Sequence, residues 1–314
     1  MYLTEKEILD TPIALAKTCE YFRSKESEIN DFFANNKQRK FVFLGCGSSY
    51  MLSKSAETIF SAFENTTASA IAAGDYIVNT KFWEETVKDS IVVSISRSGK
   101  TSEMVRAIKD MKEKFNCPVI SLSMQDDNDI MPMSNFDFTM DWCYDKSVCQ
   151  TRTVANLYAA VLLVASVYSK NPKLAESVEI AASCNAEFQA KYRPVLEKVG
   201  TMDWTDVVVL ADGPVCGIAE EAALAFTEIA MLTGRYFHML DYRHGPMVIS
   251  GEKTLTLMLI NPYEKTLQAN MAKDVISRGG PVVTVSADEN NIYGATEHIT
   301  IANIDDFYRV HLVF

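Results

Sequence analysis

The chain has 314 residues, of which 48% are hydrophobic and 23% charged, and this length and composition suit a folded protein of two domains. Its formal net charge of -11 argues against a nucleic-acid partner, because a phosphate backbone requires clustered Lys and Arg. A small phosphorylated ligand is compatible with this charge, since one local group of backbone N–H donors can outweigh a distant field.

Three further patterns bear on location and metal binding. Residues 1–7 carry acidic side chains and no apolar segment, which predicts that no signal peptide is present. The longest apolar run, residues 158–168, is too short for a membrane span, so no membrane partner is expected. Seven cysteines without a C-x-x-C pair, and four histidines far apart in sequence, predict reduced thiols and no metal site. We therefore predict a cytoplasmic protein.

The first predicted elements are a long helix and a series of strands. Residues 4–37 have a helical pattern with polar faces, and Thr4 and Glu7 have the spacing of a capping box. Three apolar runs that read as strands follow, at residues 41–45, 91–95 and 118–123. Between the last two, apolar residues recur at helical spacing, at Met104, Ile108 and Met111. This alternation is typical of βαβ units in a parallel sheet.

The same order of strands recurs in the second half of the chain. Three runs follow the first three at offsets of 166, 165 and 163 residues, at 207–213, 256–261 and 281–286. Any α/β chain contains some apolar runs, but the nearly constant offset favours an internal duplication. A helical connector at residues 151–200, interrupted at Asn171 and Pro172, joins the two halves.

The predicted fold class is therefore α/β, with two tandem doubly wound parallel-sheet domains of the flavodoxin-like kind. The predicted boundaries are an N-terminal helical segment at residues 1–37 and a first domain at residues 38–170. The connector and the second domain take residues 171–314.

Residues 96–101, Ser-Arg-Ser-Gly-Lys-Thr, lie between a predicted strand and a predicted helix. A doubly wound sheet binds ligands there, and a helix N-terminus with hydroxyl side chains offers N–H groups, a favourable dipole and further donors to an anion. The alternative is a serine-rich turn that only caps its helix. The equivalent stretch of the second half, residues 261–266, lacks the serines and the glycine, which favours a specialised phosphate site in the first copy.

A second small turn, Gly45-Cys46-Gly47-Ser48-Ser49, follows the first strand. Its glycines allow a ligand to approach the backbone closely. It does not have the G-x-G-x-x-G pattern of a dinucleotide site, so no redox nucleotide and no other cofactor is expected. Cys46 is either a nucleophile or a small buried turn residue, and the second interpretation is favoured.

These two turns, together with Arg243-His244-Gly245-Pro246, resemble the tandem sugar-isomerase (SIS) domain family. That family includes the isomerase half of glucosamine-6-phosphate synthase. The S-R-S-G loop, the Y-R-H-G-P box and Asn261-Pro262-Tyr263 look most like its AgaS group, as do residues 4–12. Members of that group are known as tagatose-6-phosphate ketose/aldose isomerases or galactosamine-6-phosphate deaminase/isomerases. The resemblance covers nearly the whole chain.

The resemblance implies a phosphosugar substrate and a set of site residues. The residues matched to phosphate binding are Ser48, Ser49, Ser96, Arg97, Ser98 and Thr101. Those matched to other substrate contacts are Gly47, Cys149, Gln150, Glu221 and Arg243, with residues 147–152 forming the loop that closes over the sugar. The catalytic glutamate falls on Glu228 and the ring-opening histidine on His244. The family also implies a homodimer whose active site lies at the subunit interface, with the histidine supplied across it.

A carboxylate and an imidazole suit the chemistry of aldose–ketose interconversion. One group must move a proton between C1 and C2 of the open-chain sugar, and the other must open the ring. Glu228 lies in an apolar helical stretch, residues 222–230, where burial is expected to raise its pKa, and Glu221 lies on the same helix face. Without the resemblance, Glu228 reads as a salt-bridged helix residue and His244 as a packed or exposed one. His238 and His298 are expected to be structural.

Two departures from the family pattern affect these expectations. Arg97 and Lys100 stand where the synthase has Gln and Glu, so both add positive charge beside the expected phosphate. The sequence ends at Val310-His311-Leu312-Val313-Phe314, where the family continues into a tail over the active site. In the synthase that tail bears a lysine that forms an imine with the sugar. Either the group does not use this lysine, or this form of the chain is incomplete.

Three functions compete on these residues. The leading one is an aldose–ketose isomerase, or deaminase/isomerase, that acts on a hexose or amino-sugar 6-phosphate without metal. A deglycase that cleaves a fructosamine 6-phosphate would use the same proton abstraction. A non-catalytic regulator that binds a phosphosugar belongs to a different class, and the basic helix-turn-helix segment that usually accompanies it is missing from this sequence.

Overall fold

The computed structural model describes residues 2–302 and residue 304. Contacts divide the chain into two compact units, Met1–Ala182 and Ser183–Phe314. Val310 to Phe314, at which the sequence ends, lie outside the described residues.

The first unit is a five-stranded parallel sheet with helices on both faces. Its strands are β1 (Lys40–Gly45), β2 (Thr67–Ala72), β3 (Ser90–Ser96), β4 (Val119–Ser123) and β5 (Phe136–Thr139). They lie in the order β2-β1-β3-β4-β5, and every neighbouring pair is parallel. Its helices are α1 (Leu3–Asn35), α2 (Ser48–Ser61), α3 (Ala73–Val78), α4 (Thr80–Val87), α5 (Ser102–Phe115) and α6 (Arg152–Ser169). A helix α7 (Pro172–Gly200) begins in this unit and ends in the second.

The second unit repeats this topology. Its elements are β6 (Asp206–Leu210), α8 (Cys216–Ile229), β7 (Thr233–Phe237), β8 (Thr254–Leu259), α9 (Lys265–Ile276), β9 (Val282–Ser286) and β10 (Glu297–Thr300). The strand order is β7-β6-β8-β9-β10, again parallel throughout. Both sheets therefore have the flavodoxin-like order 2-1-3-4-5, and the predicted fold class is confirmed.

Alternating side chains of the central strands build the core on both faces of the first sheet. Val42 and Leu44 point toward α3, α4 and α5, where they pack with residues such as Val92 and Ile108. On the other face Phe41 and Phe43 contact Phe60 of α2, with ring centroids 4.8 and 4.9 Å apart. Because both faces are covered, β1, β3 and β4 are almost wholly buried, which is why they read as continuous apolar runs.

Helix α6 is the central helix of this second face. Its length and composition are those of a membrane-spanning helix. In the structure, however, 14 of its 18 residues are buried, and its main neighbour is α1. We therefore interpret α6 as a core helix.

The predicted capping box at the start of α1 is not formed. The helix begins at Leu3, so Thr4 is already inside it, and its N-cap residue Tyr2 makes no side-chain cap hydrogen bond. Glu7 instead lies on the buried stripe of the helix, in line with Thr11, Leu15 and Phe22. Helix α1 thus has one buried face, whereas the sequence predicted a helix with polar faces.

The aromatic contacts around Phe60 give a test of this core. Phe60 is fully buried, whereas Phe82 on α4 is 75% exposed. We expect Phe60→Ala to lower the free energy of unfolding by about 3–5 kcal/mol, because it leaves a cavity between α2 and the sheet. Phe82→Ala should change it by less than about 0.5 kcal/mol. Urea denaturation of both variants measures the difference, and equal effects would contradict the described packing.

Candidate functional site

The candidate site lies in the first unit, where the carboxyl ends of β1 and β3 meet. These two strands are neighbours in the sheet, and the chain leaves them in opposite directions, toward β2 after β1 and toward β4 after β3. Such a topological switch point leaves a crevice outside the strand ends. The two turns that the sequence singled out follow these two strands, so the fold brings them together.

The turn after β1 is unusually tight. A Cβ added to Gly45 would lie 2.4 Å from the backbone carbonyl carbon of Ser49, so only glycine lets α2 begin this close to the strand. Gly47 is the N-cap residue of α2, and the N–H of Ser49 donates to the carbonyl of Cys46 over 3.2 Å. Ser48 and Ser49 therefore occupy the first turn of α2, and both are buried.

The turn after β3 is held by two serine hydroxyls. The Ser96 hydroxyl accepts a hydrogen bond from the N–H of Gly99 over 3.0 Å, and the Ser98 hydroxyl accepts one from the N–H of Lys100 over 3.2 Å. Each hydroxyl keeps its own proton for donation to a further group. Thr101 is the N-cap residue of α5, yet its side chain makes no cap hydrogen bond. Helix capping therefore does not account for these hydroxyls.

Gly99 has a left-handed backbone, with φ of +60°. A Cβ at this position would also lie 2.6 Å from the side chain of Asn128. Asn128 is buried and accepts hydrogen bonds from the N–H groups of Ile130 and Met131, so it has little room to move. Asn128 could not be predicted from the sequence, because the polar loop after β4 in which it lies carries no motif.

The first turn of α5 favours negative charge. The N–H groups of a helix N-terminus have no intrahelical acceptor, and the helix dipole adds to their field. The exposed Glu103 responds to this field, because a hydrogen bond from its own backbone N–H, followed by one from the Ser102 hydroxyl, lowers its pKa. This terminus is therefore chemically suited to an anion.

The two basic side chains of the β3–α5 turn have different surroundings. Lys100 forms an ion pair with the exposed Asp127 over 2.8 Å, and this hydrogen bond raises the pKa of the lysine. Arg97 donates from Nη1 to the carbonyl groups of Ser147 and Val148 over 2.9 and 3.3 Å. Arg97 thus lies at the turn without an acidic partner among these contacts and holds the following loop through its carbonyl groups.

That loop, residues 144–152, forms one wall of the site. Gln150 faces the crevice, and its Oε1 atom is buried without a hydrogen-bond partner among the described residues. The Ser147 hydroxyl oxygen lies 2.8 Å from the carbonyl oxygen of Cys149, next to Gln150. A buried acceptor of this kind calls for a donor from outside the protein, such as a ligand hydroxyl or amine.

These parts enclose a cavity of ≈ 100 Å³. It is lined by Cys46, Ser49, Ile95, Ser96, Arg97, Ser98, Thr101, Met104 and Gln150. Of the other predicted residues in this unit, Ser48 and Gly47 lie in the adjoining turn and Cys149 in the adjoining loop. Burial, followed by the charge of Glu103, raises the pKa of the Cys46 thiol. A protonated thiol is a poor nucleophile, so Cys46 fits the role of a small wall residue.

A larger cavity of ≈ 470 Å³ lies elsewhere in the first unit, against α1, α6 and the start of α7. Its charged side chains are mixed, since Arg23 and Lys170 stand beside Glu26 and Glu179. Arg23 is already paired with Glu179. Despite its size, this cavity suits an anion less well than the hydroxyl-lined one.

The remaining predicted residues lie in the second unit. Glu221 is buried within α8, but Glu228 is exposed in the last turn of that helix, so the expected burial of Glu228 within its own chain is wrong. The reason is that α8 ends at Ile229, and its last turn extends past the packed part of the helix. Arg243 is bound to Asp274 through Nε and Nη2 over 2.8 and 2.7 Å, and His244 is exposed after a short helix.

Glu228 and His244 of one chain lie at opposite ends of the strands of the second sheet. Helix α8 runs back from the carboxyl end of β6 and ends at Ile229, shortly before β7 begins at Thr233. Glu228 therefore lies near the amino ends of the strands. His244 follows β7 and therefore lies beyond the carboxyl ends of the strands. The strand between them is five residues long, or roughly 16 Å.

Three comparisons relate the chain to known proteins. Residues 36–167 match the model of the SIS domain. The chain is 21% identical over 330 residues to D-galactosamine-6-phosphate deaminase AgaS of Escherichia coli, covering 99% of this chain and 85% of that protein. It is similar in structure to tagatose-6-phosphate ketose/aldose isomerase from Escherichia coli, with TM-score 0.86, 19% identity and coverage of 99% and 89%. Glucosamine-6-phosphate deaminase from Thermotoga maritima is similar with TM-score 0.82, 22% identity and coverage of 99% and 92%.

The crowding at Gly99 yields a test of the site. We expect Gly99→Ala to lower the free energy of unfolding by about 2–4 kcal/mol, from left-handed backbone strain and from the clash with Asn128. Gly294→Ala shares a positive φ, at +68°, but has open space around its Cβ, so it should cost only about 1 kcal/mol. Urea denaturation compares the two variants, and titration with inorganic phosphate should show weaker binding only for Gly99→Ala. Equal losses would mean that the loop is not confined as described.

Proposed function

We propose that this chain, whose residues 36–167 match the SIS-domain model, is an isomerase or deaminase/isomerase that acts on a hexose or amino-sugar 6-phosphate. The observation that carries the proposal is the hydroxyl-lined cavity between two helix N-termini at the switch point of the first sheet. The names of the relatives, which are deaminases and isomerases of hexose 6-phosphates, support the same substrate class.

The cavity suits the phosphate group of such a substrate. The hydroxyls of Ser49, Ser96 and Ser98 would donate to its oxygens, and the N-termini of α2 and α5 would stabilise its charge. Pockets that enclose a whole ligand usually have volumes of about 300–1,000 Å³. A cavity of ≈ 100 Å³ therefore fits only the phosphoryl end, and the sugar would extend outward past Gln150.

Glu228 and His244 would supply the acid–base chemistry. The histidine would open the ring by moving the proton of O1 to O5. The glutamate would then remove the proton from C2 of the open-chain aldose and return it at C1, while the hydroxyl proton of O2 passes to O1. In a deaminase the same proton movement would convert the 2-amino aldose into an imine at C2, and water would hydrolyse this imine to the ketose with release of ammonia. Both assignments rest on positions that match the family.

The opposite positions of these two side chains support a homodimer. One chain holds Glu228 and His244 at opposite ends of the strands of its second sheet, so we propose that a second copy supplies the histidine. The second copy would also cover Glu228, which is exposed in the single chain. The cytoplasmic location remains a prediction from the sequence.

The substrate is tested by incubation with galactosamine 6-phosphate, tagatose 6-phosphate and fructoselysine 6-phosphate. Ammonia released from the first identifies a deaminase, and an aldose formed from the second identifies an isomerase. Free lysine from the third would replace the proposal with a deglycase. Binding without conversion of any of them would point to a regulator.

The proposed base is tested by Glu228→Gln. We expect kcat to fall by a factor of about 10²–10⁴, with KM changed little, because the amide keeps the shape of the side chain and cannot take a proton. Glu289→Gln removes another exposed carboxylate of the second unit and should keep the wild-type rate. If Glu228→Gln retains full turnover, Glu228 is not the base.

A further inference from the structure

Glu7 of α1 binds the loop that forms a wall of the phosphate cavity. Its carboxylate accepts hydrogen bonds from the N–H groups of Lys146 and Ser147 over 2.7 and 3.3 Å, and another from the Ser147 hydroxyl. Only 4% of Glu7 is exposed, so this is a buried carboxylate, and its partners among residues 2–302 come from one loop. The contact joins residues 139 and 140 positions apart in the sequence.

Both ends of this loop are fixed independently of Glu7. Asp145 is buried and accepts from the N–H groups of Thr151 and Thr153 over 2.7 and 2.9 Å. Arg152 donates to the carbonyl of Tyr144 over 2.6 Å and forms an ion pair with Asp10 of α1. The segment between these anchors is therefore the part that Glu7 holds.

That middle segment is the one that reaches the cavity. Ser147 contacts Glu7 through its side chain and its N–H, and it accepts from Arg97 through its carbonyl. The Ser147 hydroxyl is also within 2.8 Å of the Cys149 carbonyl, next to Gln150 in the cavity wall. A continuous set of contacts thus runs from Glu7 to two residues that line the cavity.

A buried carboxylate is costly for the fold unless its partners compensate for the lost water. A residue that only packed α1 against the core would be more stable as an apolar side chain, as at Leu15 and Phe22 of the same stripe. A carboxylate at Glu7 is useful because it can accept hydrogen bonds from several donors of one loop and so hold that loop in place. This loop is the wall that carries Arg97's carbonyl partners and Gln150.

We propose that Glu7 is a positioning residue of the phosphosugar site, acting through Ser147 to hold Arg97 and Gln150 against the bound ligand. This role rests on the proposed function of the cavity. It adds α1 to the site, although no residue of α1 is among those that line the cavity. Glu7 touches no substrate in this scheme, so its removal should weaken binding more than it slows the chemical step.

The test compares Glu7→Gln with Glu20→Gln, which removes an exposed carboxylate from the same helix. Hydrogen exchange on the protein without ligand should speed up about ten-fold at Lys146 and Ser147 in Glu7→Gln only. Its KM for the hexose 6-phosphate that the wild type converts should rise about ten-fold or more, with kcat within about three-fold. The affinity for galactosamine 6-phosphate, measured by calorimetry, should fall by a similar factor.

A double-mutant cycle separates positioning from general destabilisation. If Glu7 acts through Ser147, the losses of affinity in Glu7→Gln and Ser147→Ala should not add in the double variant. Additive losses, or faster exchange with unchanged affinity, would overturn the role. So would a lower melting temperature as the only effect of Glu7→Gln. A wild-type protein that binds no sugar phosphate would overturn the proposed function itself, and with it this role, even if the loop were released as expected.

Discussion

The structure of the site depends on one constraint, the divergence of two neighbouring parallel strands. Because the chain turns toward β2 after β1 and toward β4 after β3, nothing in the sheet covers the gap between their carboxyl ends. Two helices begin there, and their first turns bring the positive ends of two helix dipoles and several serine hydroxyls to the same point. The remaining features follow from this arrangement, since Gly45 lets α2 approach, Gly99 lets the second turn bend, and the loop at residues 144–152 closes the side.

The corresponding crevice of the second unit is arranged differently. Its strand order is the same, but the loop after β8 is satisfied by its own protein groups. Gln268 is buried, accepts from the N–H of Asn261 over 2.7 Å and donates to the carbonyl groups of Asn261 and Tyr263. Nearby, Lys265 forms an ion pair with Asp288 over 2.6 Å. The two copies therefore differ in which groups form the hydrogen bonds of this loop.

Much of the fold could be predicted because fully covered strands carry an unambiguous signal. The runs at β1, β3, β4, β6, β8 and β9 are apolar on both faces, and their repeat gave the tandem architecture. The edge strands escaped prediction because their burial is partial, as in β2 and β7, so they lack both a continuous run and a clean alternation. The two serine-rich turns were found because serine and glycine between a strand and a helix are typical of anion sites.

Other parts of the site depend on contacts that local patterns do not encode. Glu7 was interpreted as a capping residue from its spacing to Thr4, whereas its partners are about 140 residues away in sequence. Its place on the stripe of Thr11, Leu15 and Phe22 was a usable signal, since a carboxylate on a buried face requires donors. The burial expected for Glu228 was wrong for a related reason, because an apolar stretch does not reveal where its helix leaves the core.

The measurement that tests the central claim most directly is a crystal structure of the protein with galactosamine 6-phosphate bound. The account predicts that the phosphorus lies in the cavity of the first unit, with its oxygens within hydrogen-bond distance of the hydroxyls of Ser49, Ser96, Ser98 and Thr101. It also predicts that the sugar extends past Gln150. A phosphate bound anywhere else, such as beside Arg23 and Lys170 in the larger cavity, would contradict it.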